Sequence, residues 1–439
     1  MGDSGSNENK DDVLHKAKDL VVKLYEYRDE YLLNNDIEKA IDKPNDVKEK
    51  AKEALCELDS LQLSISEKAI FFGLRGKILN ISQDYDSRAA ECLSKALKLN
   101  PNLIDAWNEL GESYWKNKDI DAAYNCFTQA NSKEKNKVSL RNLSMVQRQI
   151  GKDFESKIKN IKESVTTAKQ AVSLDVTDGK SWFILGNAYL SCFFSTGQNP
   201  SDIKQAMVAY SRAEKDKCSQ VNPDLHYNKA VAFKYEEDFP NAMKGYEMAR
   251  KLDPEWDQPK EELADLKKRL KASVELTRNK AGLKPKRVQT LLNAFKDTDY
   301  GPYQTGVYTS PLNNKIELTR TKFEELNAGR NPNKVACGKV VAMVPVTDSF
   351  PFPCILMDAS SDCIVVSVFN LANGKGLLLG DTVAIPEPFV QNNAFSIENE
   401  ELSFKSIRVD NPIVLVVNRR KVGPERLQYG QLSFINKSE

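Results

Sequence analysis

One arrangement of four residues occurs twice in this chain at identical spacing: Trp107, Leu110, Gly111, Tyr114, and again Trp182, Leu185, Gly186, Tyr189. Residues at i, i+3, i+4 and i+7 share one face of a 3.6-residue helix, so each set predicts an amphipathic helix with a large–small–large stripe. Each is followed by a second stripe, Ala123, Phe127, Ala130 after the first and Ala206, Tyr210, Ala213 after the second. Glycine and alanine sit where two backbones come close, and the aromatic rings fill the remaining space. The sequence therefore describes antiparallel helix pairs.

The pairs recur. Ala242, Tyr246, Ala249 and Pro254 repeat the second helix, with Ala230 and Phe233 at the matching places of a first helix. Ala89, Leu93, Ala96 and Pro101 repeat it again, and the partner helix Phe71–Leu79 is one residue out of register through Leu74 and Gly76. A weaker unit runs from Leu140 and Leu143 to Ala168 and Ala171, with a long internal connection. In the pair opened by Trp182 the two helices are eight residues further apart than in the pair opened by Trp107, which predicts a loop insertion over Phe194–Ser201. A two-helix unit of about 34 residues with this signature is the tetratricopeptide repeat. A single unit cannot bury its apolar face, so a series of them stacks into a superhelix.

Before the repeats, residues 13–36 and 47–63 have helical periodicity and predict an N-terminal hairpin. The first twelve residues are polar and predict a disordered acidic tail; Met-Gly-Asp-Ser-Gly-Ser fits a loose myristoylation pattern at Gly2, but no basic cluster follows as a second membrane signal. No run of about 18 apolar residues occurs. After Pro254, Lys260–Leu276 predicts a charged capping helix, followed by five positive charges between Arg278 and Arg287 and an amphipathic stretch at Val288–Phe295. Residues 297–334 are rich in glycine, proline and polar residues and predict a linker, with a strand at Lys315–Leu318. From Val335 the period changes to two. Strands are expected at Gly338–Val346, Cys354–Asp358, Cys363–Phe369, Thr382–Ile385, Leu402–Val409 and Ile413–Asn418. The expected fold is an all-α tetratricopeptide-repeat superhelix followed by a small all-β OB-type barrel. Its parts are a tail and hairpin (1–66), repeats (67–258), capping helix and basic segment (259–296), linker (297–334) and barrel (335–439).

Composition argues against catalysis and cofactors. The eight cysteines are scattered without a C-x-x-C pair, and there are only two histidines, His15 and His226. That leaves no metal cluster or histidine-activated nucleophile, and no phosphate loop is present. The net charge of +1 provides no global attraction to polyanions. The first helices carry Asn108, Asn142, Arg148, Asn187, Asp224 and Asn228. Asparagine both donates to and accepts from a peptide backbone, and arginine grips carboxylates bidentately. The same residues also suit solvated or capping positions, as Asp224 does after Asn222-Pro223. The basic run suits a solvated linker, a nuclear import signal or a phosphate-contacting patch equally. In the barrel, Phe350, Phe352, Phe369 and Phe404 are candidates for stacking on single-stranded nucleic acid or for the core.

The stretch WFILGNAYLSCFFSTGQNP (182–200) resembles the tetratricopeptide repeat protein 5 (Strap) family, as do KVSLRNLSMVQRQ (137–149), NPDLHYNKA (222–230), YEEDF (235–239), LDPEW (252–256), LGDTVAIPEP (379–388) and PIVLVVN (412–418). The resemblance implies the same solenoid and OB barrel. It implies a non-enzymatic factor of tubulin autoregulation that recognises the N-terminal peptide of nascent tubulin, Met-Arg-Glu-Ile or a close relative, at the ribosome. Tubulin messenger decay then follows through an adaptor and a deadenylase. The family's groove residues fall on Arg148 and Asp224; where it has a glutamate, this chain has Gln258 and loses the charge. Asn142, Asn187 and Asn228 complete the expected groove, and Lys284 and Lys286, with Arg287, are the expected contacts to ribosomal RNA and exit-tunnel proteins. An alternative is a nuclear stress-responsive cofactor of acetyltransferase and transcription complexes, its barrel on chromatin or single-stranded nucleic acid. Cytoplasmic and nuclear locations are expected, with no membrane partner.

Overall fold

The computed structural model describes residues 5–61, 64–309, 315–346, 351–372 and 374–428. By their contacts the described residues form two compact units: 5–236 with 244–259, and 237–243 with 260–428. Gly2 and Phe350 lie outside the described residues.

The first unit is helical. α1 (Gly5–Asn34) and α2 (Lys43–Ser60) make the N-terminal hairpin, so helix begins within the stretch expected as a tail. The pairs that follow are α3 (Lys68–Leu79) with α4 (Ser87–Leu99), α5 (Ile104–Lys116) with α6 (Ile120–Lys133), α7 (Lys137–Gln147) with α8 (Phe154–Leu174), and α9 (Gly179–Ser195) with α10 (Pro200–Ala213). A single turn, α11 (Lys217–Gln220), precedes α12 (Pro223–Tyr235) and α13 (Phe239–Leu252, of which the first unit holds Lys244 onward). Local chemistry marks the starts: Asp86, Asp119, Asn136, Asp153, Asp178, Asn199 and Asn222 each accept a backbone N–H of the helix they open. Such caps satisfy donors that a helix leaves unbonded in its first turn.

The repeated glycines explain the pairing. A Cβ on Gly111 would lie 2.5 Å from the Phe127 ring, one on Gly186 2.4 Å from the Tyr210 ring, and one on Gly76 2.6 Å from Leu93. In these three pairs the second helix thus seats a large side chain on bare backbone of the first. First helices stack in series, α3 on α5, α5 on α7, α7 on α9 and α9 on α12.

Two expected loops are partly helix. The extra residues after Trp182 lengthen α9 to Ser195, with Phe193 and Phe194 buried, and only Thr196–Asn199 link it to α10. Gly197 and Gln198 turn that link with positive φ. In the weaker unit the extra length goes into α8, a helix of 21 residues.

The second unit contains α14 (Asp257–Arg278, from Lys260 on), α15 (Pro285–Asn293) and the sheet. Its strands are β1 (Val307–Thr309), β2 (Lys315–Glu317), β3 (Thr319–Thr321), β4 (Gly329–Arg330), β5 (Lys334–Met343), β6 (Phe352–Met357), β7 (Cys363–Val368), β8 (Thr382–Pro386), β9 (Phe389–Ile397), β10 (Glu400–Val409), β11 (Val416–Val417) and β12 (Arg420–Lys421). β1 and β2 form a separate ribbon, while the main sheet runs β12-β11-β8-β5-β6-β7-β10-β9-β4, with β3 added beside β5. The pairs β3–β5 and β7–β10 are parallel and the others antiparallel. Val340, Leu356, Val366, Ile385, Ile407 and Leu415 meet in its core.

The expected linker, 297–334, is part of this unit. It holds a 3-10 helix at Asp297–Thr305 and β1 to β4. Tyr303 is buried there and donates its hydroxyl to the Val414 carbonyl at 2.6 Å, and Phe323 and Leu326 enter the main core. Two strand assignments also differ from expectation. Pro412–Val414 is a 3-10 turn before the short β11, and β9 adds a strand to the expected set. β9 contains Gln391-Asn392-Asn393, which has turn composition, yet Asn393 is buried and donates to Ser406 of β10 at 2.8 Å.

Candidate functional site

Three of the predicted site residues meet on the first-helix face of the helical unit. Arg148 is the C-terminal cap of α7 and is buried. Its Nη1 donates to the Ile184 carbonyl of α9 at 3.5 Å. One turn further along α9, Asn187 Oδ1 accepts from the Tyr210 hydroxyl and from Asn228 Nδ2 of α12, both at 2.9 Å. Tyr210 is the ring seated on Gly186, so the repeat signature that builds the pair also fixes a polar cluster. Burial pulls the Arg148 guanidinium down to about 10 and pushes the Tyr210 phenol up. A desolvated guanidinium held this way favours a carboxylate, because the ion pair it makes is little screened.

Asp224 is in the first turn of α12, four residues before Asn228, and is buried. Its backbone N–H is capped by Asn222 at 3.0 Å, so the helix-start signature is real and Asn222, rather than the Asp224 carboxylate, does the capping. Asn142 on α7 and Gln258 at the start of α14 are half-buried. Asn108 is buried and accepts from the Ser139 hydroxyl at 2.8 Å, joining α5 to α7. Its role is internal.

Lys284, Lys286 and Arg287 are exposed at the start of α15, where Lys284 is the N-cap. Among the described residues none of the three makes an ion pair. In the barrel, Phe369 and Phe404 are buried and Phe352 packs against the core, so these three side chains serve the core. Among the described residues no group of three His, Cys, Asp or Glu side chains is placed to hold a metal ion, and no helix is long and apolar enough to cross a membrane.

Sequence reasoning missed a second polar cluster, formed by α1, α3 and α5. Tyr25 donates its hydroxyl to the Lys77 carbonyl at 3.0 Å and to Glu109 Oε2 at 3.2 Å. Its members come from separate repeats and carry no motif.

Comparison with known proteins agrees with both halves of this architecture. A family model described as the tetratricopeptide repeat protein 5 OB fold domain matches residues 317–430, and a TPR repeat model matches 76–118. Tetratricopeptide repeat protein 5 of Homo sapiens is 41% identical over 413 residues, covering 94% of each chain. The chain belongs to the tetratricopeptide repeat protein 5 family. The tetratricopeptide repeat protein 5 of Bos taurus is likewise 41% identical, over 417 residues and 94% of each chain. Among solved structures, a thermophilic TPR protein of Thermus thermophilus is similar over 46% of this chain and 98% of its own, with a TM-score of 0.37 and 14% identity. This chain thus combines a helical repeat array with an OB fold. The OB model begins at residue 317, inside the stretch expected as a linker.

Proposed function

We propose that this chain is a non-enzymatic adaptor that reads the N-terminal motif of nascent tubulin at the ribosome and triggers decay of the tubulin messenger. The observation that carries the reading is the buried Arg148 guanidinium on the first-helix face, in a chain 41% identical to tetratricopeptide repeat protein 5. In a Met-Arg-Glu-Ile peptide, Arg148 complements the glutamate and Asp224 the arginine, while Asn142, Asn187, Asn228 and Gln258 supply neutral polar contacts. The exposed Lys284, Lys286 and Arg287 suit phosphates of ribosomal RNA. Partners under this reading are the nascent peptide, the ribosome at its exit tunnel, and a decay adaptor with its deadenylase, in the cytoplasm, with a nuclear pool.

The test is a titration of a fluorescent Met-Arg-Glu-Ile peptide against the full chain. Wild type binds saturably, and Arg148→Ala and Asp224→Ala each weaken binding by about 1–3 kcal/mol, the range for a lost charge-assisted contact. Equal affinity in wild type and both variants refutes the groove. Lys284→Glu with Lys286→Glu keeps peptide affinity but loses co-sedimentation with ribosomes.

A further inference from the structure

The cluster missed by sequence lines a cavity of about 670 Å³ between α1, α3, α5 and α11. That is within the roughly 300–1,000 Å³ of known ligand pockets. Its walls are largely apolar, formed by Val21, Ile70, Leu74, Leu103 and Ala106. Carboxylates surround the apolar part: Glu26, Glu30 and Asp105 are exposed, and Glu109 is nine-tenths buried. Two lysines, Lys18 and Lys77, also line it.

Glu109 is the distinctive group. Its Oε2 is used, accepting from Asn80 Nδ2 at 2.9 Å and from Tyr25. Among the described residues its Oε1 accepts no hydrogen bond; the Lys77 ammonium is 3.6 Å away. Burial, then the charge of Glu112, raises the carboxyl above its usual range despite Lys77 and Lys116. Oε1 faces the cavity-lining Lys77 without a hydrogen bond, so it can still accept one. Asp29, by contrast, is already neutralised by Arg28 at 2.8 Å and by Lys180 of α9 at 2.6 Å.

An apolar wall whose lining carboxylates outnumber its lysines, with one Glu109 oxygen that accepts no hydrogen bond, fits one chemistry: a methylene stem ending in a cation. Arginine and lysine side chains have that form. We infer that this cavity receives a basic side chain, its stem against Val21, Leu74 and Ala106 and its charged head on Glu109 Oε1, presented by an extended peptide of a protein partner. Two features favour a peptide. The cavity is lined by the first helices α3 and α5, the elements along which tetratricopeptide arrays hold extended chains. It is also tied to the Arg148 cluster by α9, because Lys180, which holds the cavity-lining Asp29, is one turn before Ile184, whose carbonyl Arg148 holds. The site is nevertheless distinct from that cluster, since none of its lining residues belongs to it.

The experiment is a fluorescence-anisotropy titration of the full chain with a labelled, N-acetylated Gly-Ala-Arg-Ala-Gly peptide, and with the same peptide carrying neutral citrulline for arginine. Wild type binds the arginine peptide saturably and the citrulline peptide at least tenfold more weakly. Glu109→Gln keeps the side chain's shape and lowers arginine-peptide affinity at least tenfold. Glu30→Lys with Asp105→Lys changes only exposed residues and does the same, so a folding defect at Glu109 leaves the inference testable. Absence of binding, equal binding of the citrulline peptide, or loss only in Asp224→Ala overturns the inference; the last outcome places the arginine in the other groove.

Discussion

The same substitution, glycine to alanine, should have opposite effects at two helical positions of this solenoid. In a helix interior alanine gains about 1 kcal/mol over glycine. At Gly73 of α3 an added Cβ meets only the Ala96 methyl, at an ordinary 3.9 Å, so Gly73→Ala keeps that gain and stabilises by about 0.5–1 kcal/mol. At Gly111 of α5 the same Cβ lies 2.5, 2.8 and 2.9 Å from three carbons of the Phe127 ring. The ring would have to retreat by nearly an ångström to reach ordinary contact. Phe127 is completely buried between the helices, so it cannot swing into solvent. Overpacking of this kind costs about 1–3 kcal/mol, which cancels or exceeds the propensity gain. The two variants should therefore differ by about 1–3 kcal/mol, Gly111→Ala being the less stable. Urea unfolding of the full chain, followed by circular dichroism at 222 nm, reads the helical unit. The midpoint rises for Gly73→Ala and is unchanged or lower for Gly111→Ala. Equal rises would show that the ring-on-glycine contact does not constrain the pair.

Three further outcomes are expected. Asn187→Leu leaves the Tyr210 hydroxyl and the Asn228 amide buried without their shared acceptor, and should destabilise the helical unit by about 1–3 kcal/mol in the same urea assay. Burial pushes Asp178 up, but Arg141 and Lys137 outweigh it and hold the carboxyl below its usual range, and the hydrogen bond from Lys137 depresses Asp175. A carboxyl depressed on folding stabilises at neutral pH and loses that contribution as pH falls, here from about pH 5 downward, so Lys137→Met with Arg141→Met should flatten the acid side of the stability–pH curve. For Lys284→Glu with Lys286→Glu, the log–log salt slope of binding to ribosomal RNA, measured by filter binding, should shrink by about 0.7–0.9 per lysine.

The solenoid was legible because its packing rule is written within single turns: Trp107, Leu110, Gly111 and Tyr114 share a face whatever surrounds them. The ends of elements were less so. Phe194 looks like the start of an insertion because the extra residues break the repeat spacing, whereas burial of its ring beside Phe193 extends α9 across it. Residues 297–334 have turn composition, and their order comes from distant partners such as Val414 for Tyr303. β9 was hidden by asparagines whose hydrogen bond, Asn393 to Ser406, exists only once β10 is beside it. At the candidate site, Arg148, Asn187 and Asn228 were identifiable as polar residues on first helices, and the structure brings them together. That Asn108 is committed to Ser139 was not visible, because its partner is on the next repeat. The cavity at Glu109 had no local signature, since its walls come from α1, α3, α5 and α11.

The start of α15 has a consequence for its behaviour in different solutions. The helix has nine residues, with Lys284 at its cap and Lys286 and Arg287 in its first turn. Helices this short are marginal in water, and cations at the N-terminal end oppose the helix dipole. Free salt screens that repulsion, so raising ionic strength firms the helix while it loosens any hold on phosphates. A bound polyanion relieves the same repulsion directly, and does so best when salt is low. The segment is thus most ordered at two opposite extremes, alone in high salt and complexed in low salt, and least ordered when it is unbound in dilute buffer.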